Sequence, residues 1–293
     1  MVLIGRRKNQ TLGFPSIPAR RSGTARGKEG QKRTLLFVTL ALLSFQFSFP
    51  STFFKATRKG ITLVGNNEDS DNRLGQVWFF PAETNKYGRV FFGFRFNNFY
   101  QGGMNDQGLV LEWVTGGYQK WQKDPAKKTS KRALSELILE QCATVEQAQE
   151  LCDQYNEFSF SFASIMLVDK TGDAATVGFV DGKLKVLRAK GEDQALGFGQ
   201  PVAQLRLEEA KMISKETVKS ILLECLQRGQ MATQYSNIYD PQNGVVFVYL
   251  FLKSKEELRF DLREELSKGR HWYDLTELLR QILRKKLDKK EPD

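Results

Sequence analysis

From Ser51 to Trp113 the chain is written in short apolar or alternating runs, and this pattern limits what it can fold into more than any other feature. Ser51–Ala56, Ile61–Val64, Gln76–Phe80, Arg89–Phe94 and Leu109–Trp113 are separated by Gly, Asn and Asp, as strands joined by tight turns are. Two helices are predicted next. Ser130–Cys142 repeats Leu134, Leu137, Ile138 and Cys142 on one face, and Thr144 is placed to cap Val145–Tyr155, which aligns Val145, Ala148, Leu151 and Cys152. Strands resume at Phe158–Val168, Ala174–Val180 and Lys183–Val186, with hairpin turns at Asp169–Asp173 and Asp181-Gly182. A helix over Lys215–Arg228 precedes strands Ser236–Tyr239 and Gly244–Phe251, and a helix over Tyr273–Lys290 closes the chain. Strands, helices and strands again predict an α+β domain of sheets covered by helices, not a doubly wound parallel sheet. No repeat, low-complexity tract or linker interrupts 51–293, so one domain is expected there.

The 50 residues before it are of another kind. Residues 1–33 hold nine Lys or Arg and one acid, Glu29, and read as a basic, disordered head. Residues 34–50 contain the apolar run LLFVTLALLSFQFSF, Leu35 to Phe49, too short for the roughly 20 residues a bilayer span needs. A basic segment followed by such a run reads as a signal peptide, giving a secreted or periplasmic protein; retained, the same run is a membrane anchor. Phe49-Pro50 is a poor signal-peptidase site, which keeps the anchor reading open.

Charge and composition exclude several functions. The chain's formal charge of +10 is concentrated in the head, and 51–293 carry 35 basic against 33 acidic side chains. That near balance argues against a nucleic-acid-binding surface. Cys142, Cys152 and Cys225 form no CxxC pair and read as buried free thiols. With His271 as the sole histidine there is no HExxH site, and no metal or other cofactor is expected. A Ser-His-Asp triad is not expected either, since no GxSxG turn presents a serine to His271.

Three phrases in order carry a resemblance. They are Ser51-Thr-Phe-Phe leading to Leu63-Val-Gly-Asn-Asn-Glu-Asp69, then Gln101-Gly-Gly-Met-Asn-Asp-Gln-Gly-Leu109, then Tyr235-Ser-Asn-Ile-Tyr-Asp240 with Asn243-Gly244. Together with Ala143-Thr-Val-Glu-Gln-Ala and Leu167-Val-Asp-Lys-Thr-Gly-Asp, they resemble the choloylglycine hydrolase and penicillin V acylase family of linear-amide hydrolases. The resemblance implies an N-terminal-nucleophile fold, an αββα sandwich of two antiparallel sheets between helical layers. It also implies a nucleophile freed at the chain's N-terminus, a small-molecule N-acyl amide substrate, and no cofactor. The family's cysteine nucleophile, 18 positions before its first acid, corresponds to Ser51 here, with Asp69 as that acid.

The chemistry then follows by position. A free α-amine, with an ordinary pKa of about 7.7–8.0, can accept the hydroxyl proton and return it to the leaving amine. The resemblance gives Asp69 the task of holding that amine, though an Asp in a turn explains the letter too. Asn66 stands where bile-salt hydrolases carry Arg and is expected to contact substrate or amine. Asn67 joins it, although Asn67 and Glu68 also suit a turn. Gly102-Gly103 allow close backbone approach and Asn105 can brace the loop, or a plain turn explains all three. Thr115 falls near the oxyanion-hole position, where its backbone N–H can donate. Gly197 stands where the family has a supporting asparagine, so one donor is absent. Asn237 either supports the site from a neighbouring strand or is a strand-edge residue. The alternative to an amidase is an inactive relative that binds a ligand or partner.

Overall fold

The computed structural model describes residues 51–71, 74–95 and 99–288. The basic head and the signal segment expected at 34–50 lie outside them. Within them no helix is long and apolar enough to cross a membrane.

The chain enters as a hairpin, β1 (Thr52–Arg58) and β2 (Ile61–Asp69), turning at Lys59-Gly60, both at positive φ. A meander follows: β3 (Gly75–Phe80), β4 (Arg89–Phe94), β5 (Tyr100–Asn105) and β6 (Val110–Thr115). Next come β7 (Lys128–Thr129), helices α1 (Leu134–Gln141) and α2 (Val145–Gln154), and β8 (Tyr155–Asn156). Thr144 caps α2 as expected, accepting the Gln147 N–H. The chain then runs through β9 (Ala163–Val168), β10 (Ala174–Val180), β11 (Lys183–Arg188) and β12 (Gln194–Gly197). Helices α3 (Gln200–Glu209) and α4 (Lys215–Glu224) lead to β13 (Thr233–Asp240), β14 (Val245–Tyr249) and β15 (Glu257–Asp261). Last are α5 (Leu262–Ser267), β16 (His271–Asp274) and α6 (Leu275–Asp288).

Two sheets carry the fold. One has six strands in the order β12-β1-β2-β13-β14-β15, the other eight in the order β11-β10-β9-β6-β5-β4-β3-β16. Within both, the neighbouring strands are antiparallel. Because side chains alternate along a strand, each sheet has two faces to cover. The inner faces meet through Phe53, Val64, Tyr235, Tyr239, Val246 and Val248 from the first sheet and Val77, Phe79, Val90, Phe92, Val110 and Met166 from the second. Behind the eight-stranded sheet, Leu111, Trp113, Ile165 and Val177 pack on Leu134, Ile138, Val145 and Ala148 of α1 and α2. Behind the six-stranded sheet, Phe54, Ala56 and Ile238 pack on Ala203, Leu207, Val218 and Ile221 of α3 and α4. The layers are therefore α, β, β, α, the sandwich the resemblance implied.

Several expectations need correction. Gln101–Asn105 is strand β5 rather than a loop, because Gly102 and Gly103 lie flat against β6 and β4; a Cβ on Gly103 would sit 2.1 Å from the Val90 carbonyl. Phe158–Ser161 forms a turn of 3-10 helix before β9 instead of continuing it. The C-terminal helix starts at Leu275, since 271–274 pair with β3. The three cysteines are free and buried, as expected.

Candidate active site

β12 and β2 flank β1, so the residue just ahead of β1 is held from both sides. The Ser51 carbonyl accepts the Phe198 N–H at 2.8 Å, and the Thr52 hydroxyl accepts the Gly199 N–H at 2.8 Å. Gly197 makes this clasp possible. It lies at φ +96°, and a Cβ there would stand 1.9 Å from the Ser51 carbonyl oxygen. A side chain at 197 thus has neither the backbone conformation nor the space it needs. Gly197 acts on the backbone of Ser51, and no substrate-facing side chain belongs there.

Alternation along β2 then sorts the GNNED phrase onto two faces. Asn67 and Asp69 turn to the α3–α4 side. Asn67 donates to the Leu222 carbonyl at 3.0 Å and accepts from Ser236 Oγ at 2.7 Å, which ties β2 to α4 and β13. Asp69 Oδ1 accepts from Thr233 Oγ1 at 2.5 Å, while Oδ2 is buried and unpartnered. Asn66 and Glu68 face the eight-stranded sheet. The side chain that meets the Ser51 hydroxyl is Glu68: Ser51 Oγ donates to its Oε1 at 3.4 Å.

The sheets supply the rest of a buried polar cluster. Asn237 lies opposite Asn66 on β13, and its Nδ2 donates to the Tyr239 hydroxyl at 3.0 Å. That hydroxyl donates to Glu112 Oε2 on β6 at 3.2 Å, which joins the two sheets. Gly102, across from Glu112, leaves the room this carboxyl occupies; a Cβ there would fall 2.1 Å from it. Both amide atoms of Asn66, Asn237 Oδ1, Glu68 Oε2, Glu112 Oε1 and the Tyr235 hydroxyl are buried without a hydrogen-bond partner. Buried polar groups in folded chains are nearly always satisfied, so a concentration of orphans marks where a ligand or water completes the set.

Electrostatics follow from burial. Desolvation, with the neighbouring Asp69 charge adding to it, pushes the Glu68 carboxyl up to about 8, against the pull of the nearby Asn66 amide and Ser51 hydroxyl. Asp69 rises to about 8 through burial, opposed by the Thr233 hydrogen bond. Burial, then Glu68, raises Glu112 well above the carboxylate range, opposed by Tyr239. Burial raises the thiols of Cys142 to about 11 and of Cys225 to about 12, which leaves them inert. No group of three or more potential metal ligands is found among the described residues.

The other site candidates fall elsewhere. Thr115 ends β6 opposite Ala163, and alternation puts it on the Trp113 face, toward α1 and α2. Asn105 does brace its turn, accepting the Gln107 and Leu109 N–H groups and donating to the Leu139 and Cys142 carbonyls. That task fastens the β5–β6 hairpin to α1, and Gly103, within β5, sits against Val90 of β4 and Leu139 of α1. His271 bonds Glu265 and the Gly269 carbonyl and stacks on Phe79, a structural role. A cleft of about 840 Å³ along α6 beside Trp272 is lined by other residues than the cluster.

Sequence reasoning missed Glu112, Tyr235 and Tyr239 and placed Glu68 only as a turn former. A signal was present: Glu112 is a lone acid in the apolar run Leu109–Trp113, and such a residue is either exposed or functional.

Comparison with known proteins agrees with this fold. Residues 57–195 match the family described as acyl-coenzyme A:6-aminopenicillanic acid acyl-transferase. A search of curated protein sequences finds no match. Among solved structures, penicillin V acylase from Agrobacterium tumefaciens is similar at 17% identity and a TM-score of 0.64, covering 77% of this chain and 91% of its own. A variant of conjugated bile acid hydrolase from Clostridium perfringens gives 16% identity and 0.62, over 76% and 96%. The Caenorhabditis elegans ortholog of N-acylethanolamine-hydrolyzing acid amidase gives 13% identity and 0.51, over 66% and 93%.

Proposed function

We propose that this chain, which resembles the choloylglycine hydrolase and penicillin V acylase family of N-terminal-nucleophile hydrolases, cleaves the linear carbon–nitrogen bond of an N-acyl amide with Ser51 as nucleophile. The observation that carries this reading is the Ser51 hydroxyl at the head of β1, held between the sheets against a buried carboxyl. In the reaction, Oγ attacks the acyl carbon, the amine leaves, and water hydrolyses the acyl-Ser51 ester. In the mechanism the family suggests, the proton acceptor is the α-amino group of Ser51, which exists only after Pro50 is cut away, as part of export or self-cleavage. The unpartnered Asn66 Nδ2 provides a donor for the developing oxyanion, and the unpartnered Oδ1 atoms of Asn66 and Asn237 provide acceptors for an N–H of the bound substrate. Residues 34–50 would send the protein out of the cytoplasm or hold it at a membrane.

A second reading, a relative that binds an acyl ligand without turning it over, is favoured by Gly197, where the clasp on Ser51 leaves no place for an asparagine donor. Turnover separates the two. Protein from the native host, its first residue read by intact mass, is offered N-acyl amino acids, penicillin V and conjugated bile salts beside Ser51→Ala. A hydrolase loses several orders of magnitude in rate on that substitution; equal rates in both forms refute the nucleophile, and no turnover by a chain that starts at Ser51 supports the binding protein.

A further inference from the structure

Between the sheets, inward of Ser51, the chain buries more hydrogen-bonding capacity than it uses. Glu68 of β2 and Glu112 of β6 bring two carboxyls there, and Gly102 leaves room for the second. Tyr239 of β13 holds Glu112 at 3.2 Å and receives the Asn237 amide at 3.0 Å. Around these held groups, both amide atoms of Asn66, Asn237 Oδ1, Glu68 Oε2, Glu112 Oε1 and the Tyr235 hydroxyl have no partner, and none of these side chains is more than 3% exposed. Ser51 Oγ, donating to Glu68 Oε1, stands at the edge of the set.

The unpaired atoms say what would complete them. An amide Oδ1 only accepts, and so does an ionised carboxylate. Asn66 Oδ1, Asn237 Oδ1, Glu68 Oε2 and Glu112 Oε1 therefore suit a compact cation that donates several N–H bonds, as an ammonium group with three donors does. An apolar acyl chain laid here would leave these atoms unsatisfied, and a ligand carboxylate would meet two acids. Amide hydrolysis makes the fitting group. A released alkylamine, like the lysine side chain with its ordinary pKa of about 10.4, is an ammonium at neutral pH.

We propose that this cluster is the seat of the amine half of the substrate, and that it selects a small amine free of carboxylate or sulfonate, released as its ammonium. The inference rests on Ser51 as the point of cleavage and adds which half of the substrate faces inward. As the carbon–nitrogen bond breaks, the α-amine of Ser51 returns its proton to the nitrogen and a neutral amine results. A proton from a buried carboxyl then converts it to ammonium beside carboxylate, and the carboxylate regains a proton from water as the ammonium departs. Charge and protons balance without a co-reactant.

The surroundings prepare the two acids for this. Burial and then Asp69 raise Glu68, and burial and then Glu68 raise Glu112, so each is held protonated until a cation comes near. The other titratable groups facing the pair are Tyr235 and Tyr239 from β13. In a chain that begins at Ser51, the freed α-amine joins them at the end of β1. A cation entering the cluster favours the ionised acids and so drives a proton out.

The test uses the full chain, its first residue read by intact mass. Parent, Ser51→Ala, Glu112→Gln and Glu112→Asp are titrated by calorimetry with methylammonium chloride, against potassium chloride and glycine, in two buffers of different ionisation heat. Parent and Ser51→Ala are expected to bind methylammonium, to release about one proton per cation at pH 7, and to bind about tenfold tighter at pH 8 than at pH 6.5. Glu112→Gln is expected to weaken binding about tenfold or more, and Glu112→Asp to restore part of it. In turnover, N-methylhexanamide should exceed N-hexanoylglycine in kcat/KM by about tenfold or more, with the ratio reduced in Glu112→Gln. Methylammonium binding no stronger than that of potassium, equal affinity in Glu112→Gln, or a preference for N-hexanoylglycine each overturns the proposal. The parent measurements decide it even where Glu112→Gln does not fold. Binding with proton release but no turnover of either amide is a different failure, which upholds the seat and refutes the hydrolase.

Discussion

Neighbouring residues of β2 point to opposite faces, so Glu68 enters the space between the sheets while Asp69 turns to Thr233 and the α3–α4 side. Both acids, with Glu112, hold their protons more tightly folded than unfolded. An acid of this kind contributes stability that is fully present below its unfolded pKa and is lost as pH rises to its folded one. Stability is therefore expected to decline between about pH 4.5 and about pH 8, where the unfolded chain has released these protons and the folded one retains them. Urea titrations of the parent and Glu68→Gln at pH 5 and pH 9 check this: the variant gains on the parent at pH 9 and not at pH 5, and a gain of the same size at both would contradict it. The sequence made Ser51, Asn66 and Asn237 visible because their spacing fits a known pattern. It hid Glu68 inside a phrase that also suits a turn, and only the register of Thr52 with Asn67 shows which of four polar neighbours faces the serine. Gly197 looked like a lost donor, and its meaning lay in a contact with a residue 146 positions earlier.

Elements with a clear period were legible, and those defined by a partner were not. α2 shows its cap and its apolar face in twelve letters, and β4 and β10 have the ends their alternation suggests. β5 carries two glycines that weaken any strand reading, yet both are needed where β4 and β6 press close. β12 and β16 are four residues each and exist because β1 and β3 offer an edge. α3 buries Ala203 and Leu207 from its sequence of ten, too few to show a stripe. Between elements, one buried ion pair ties β4 to α1: Arg89 bonds Glu140, which Arg132 also holds at 2.5 Å. Arg89→Ala leaves Glu140 buried with a single partner and is expected to cost about 3 kcal/mol, the low end for a broken buried pair because Arg132 remains. Chemical denaturation measures this, and Arg89→Ala together with Glu140→Leu should recover most of the loss.

On the scale of the whole molecule, the order of layers could be read from the sequence and the meeting of the sheets could not. Counting strands and helices suggests two covered sheets, but the pairing of β2 with β13, 164 residues apart at Asp69 and Thr233, is a non-local choice that short motifs do not encode. Charge is distributed unevenly along the chain. The head of 33 residues carries a net of +8 and residues 51–293 a net of +2, so retention on a sulfonate matrix at pH 7 and about 0.15 M salt should belong to the head. Replacing its nine Lys and Arg by Gln in the full chain is expected to abolish retention; an unchanged elution salt would place the basic surface within residues 51–293.

The clasp of Phe198 and Gly197 on the Ser51 carbonyl grips this residue from its C-terminal side. Both anchors described here, carbonyl and hydroxyl, leave the peptide nitrogen out of the arrangement. What seats residue 51 is thus its backbone carbonyl and not the identity of its side chain. An exchange of serine for cysteine at residue 51 therefore alters the reactivity of the side chain without requiring the sheet to be rebuilt, because the grip is on the backbone.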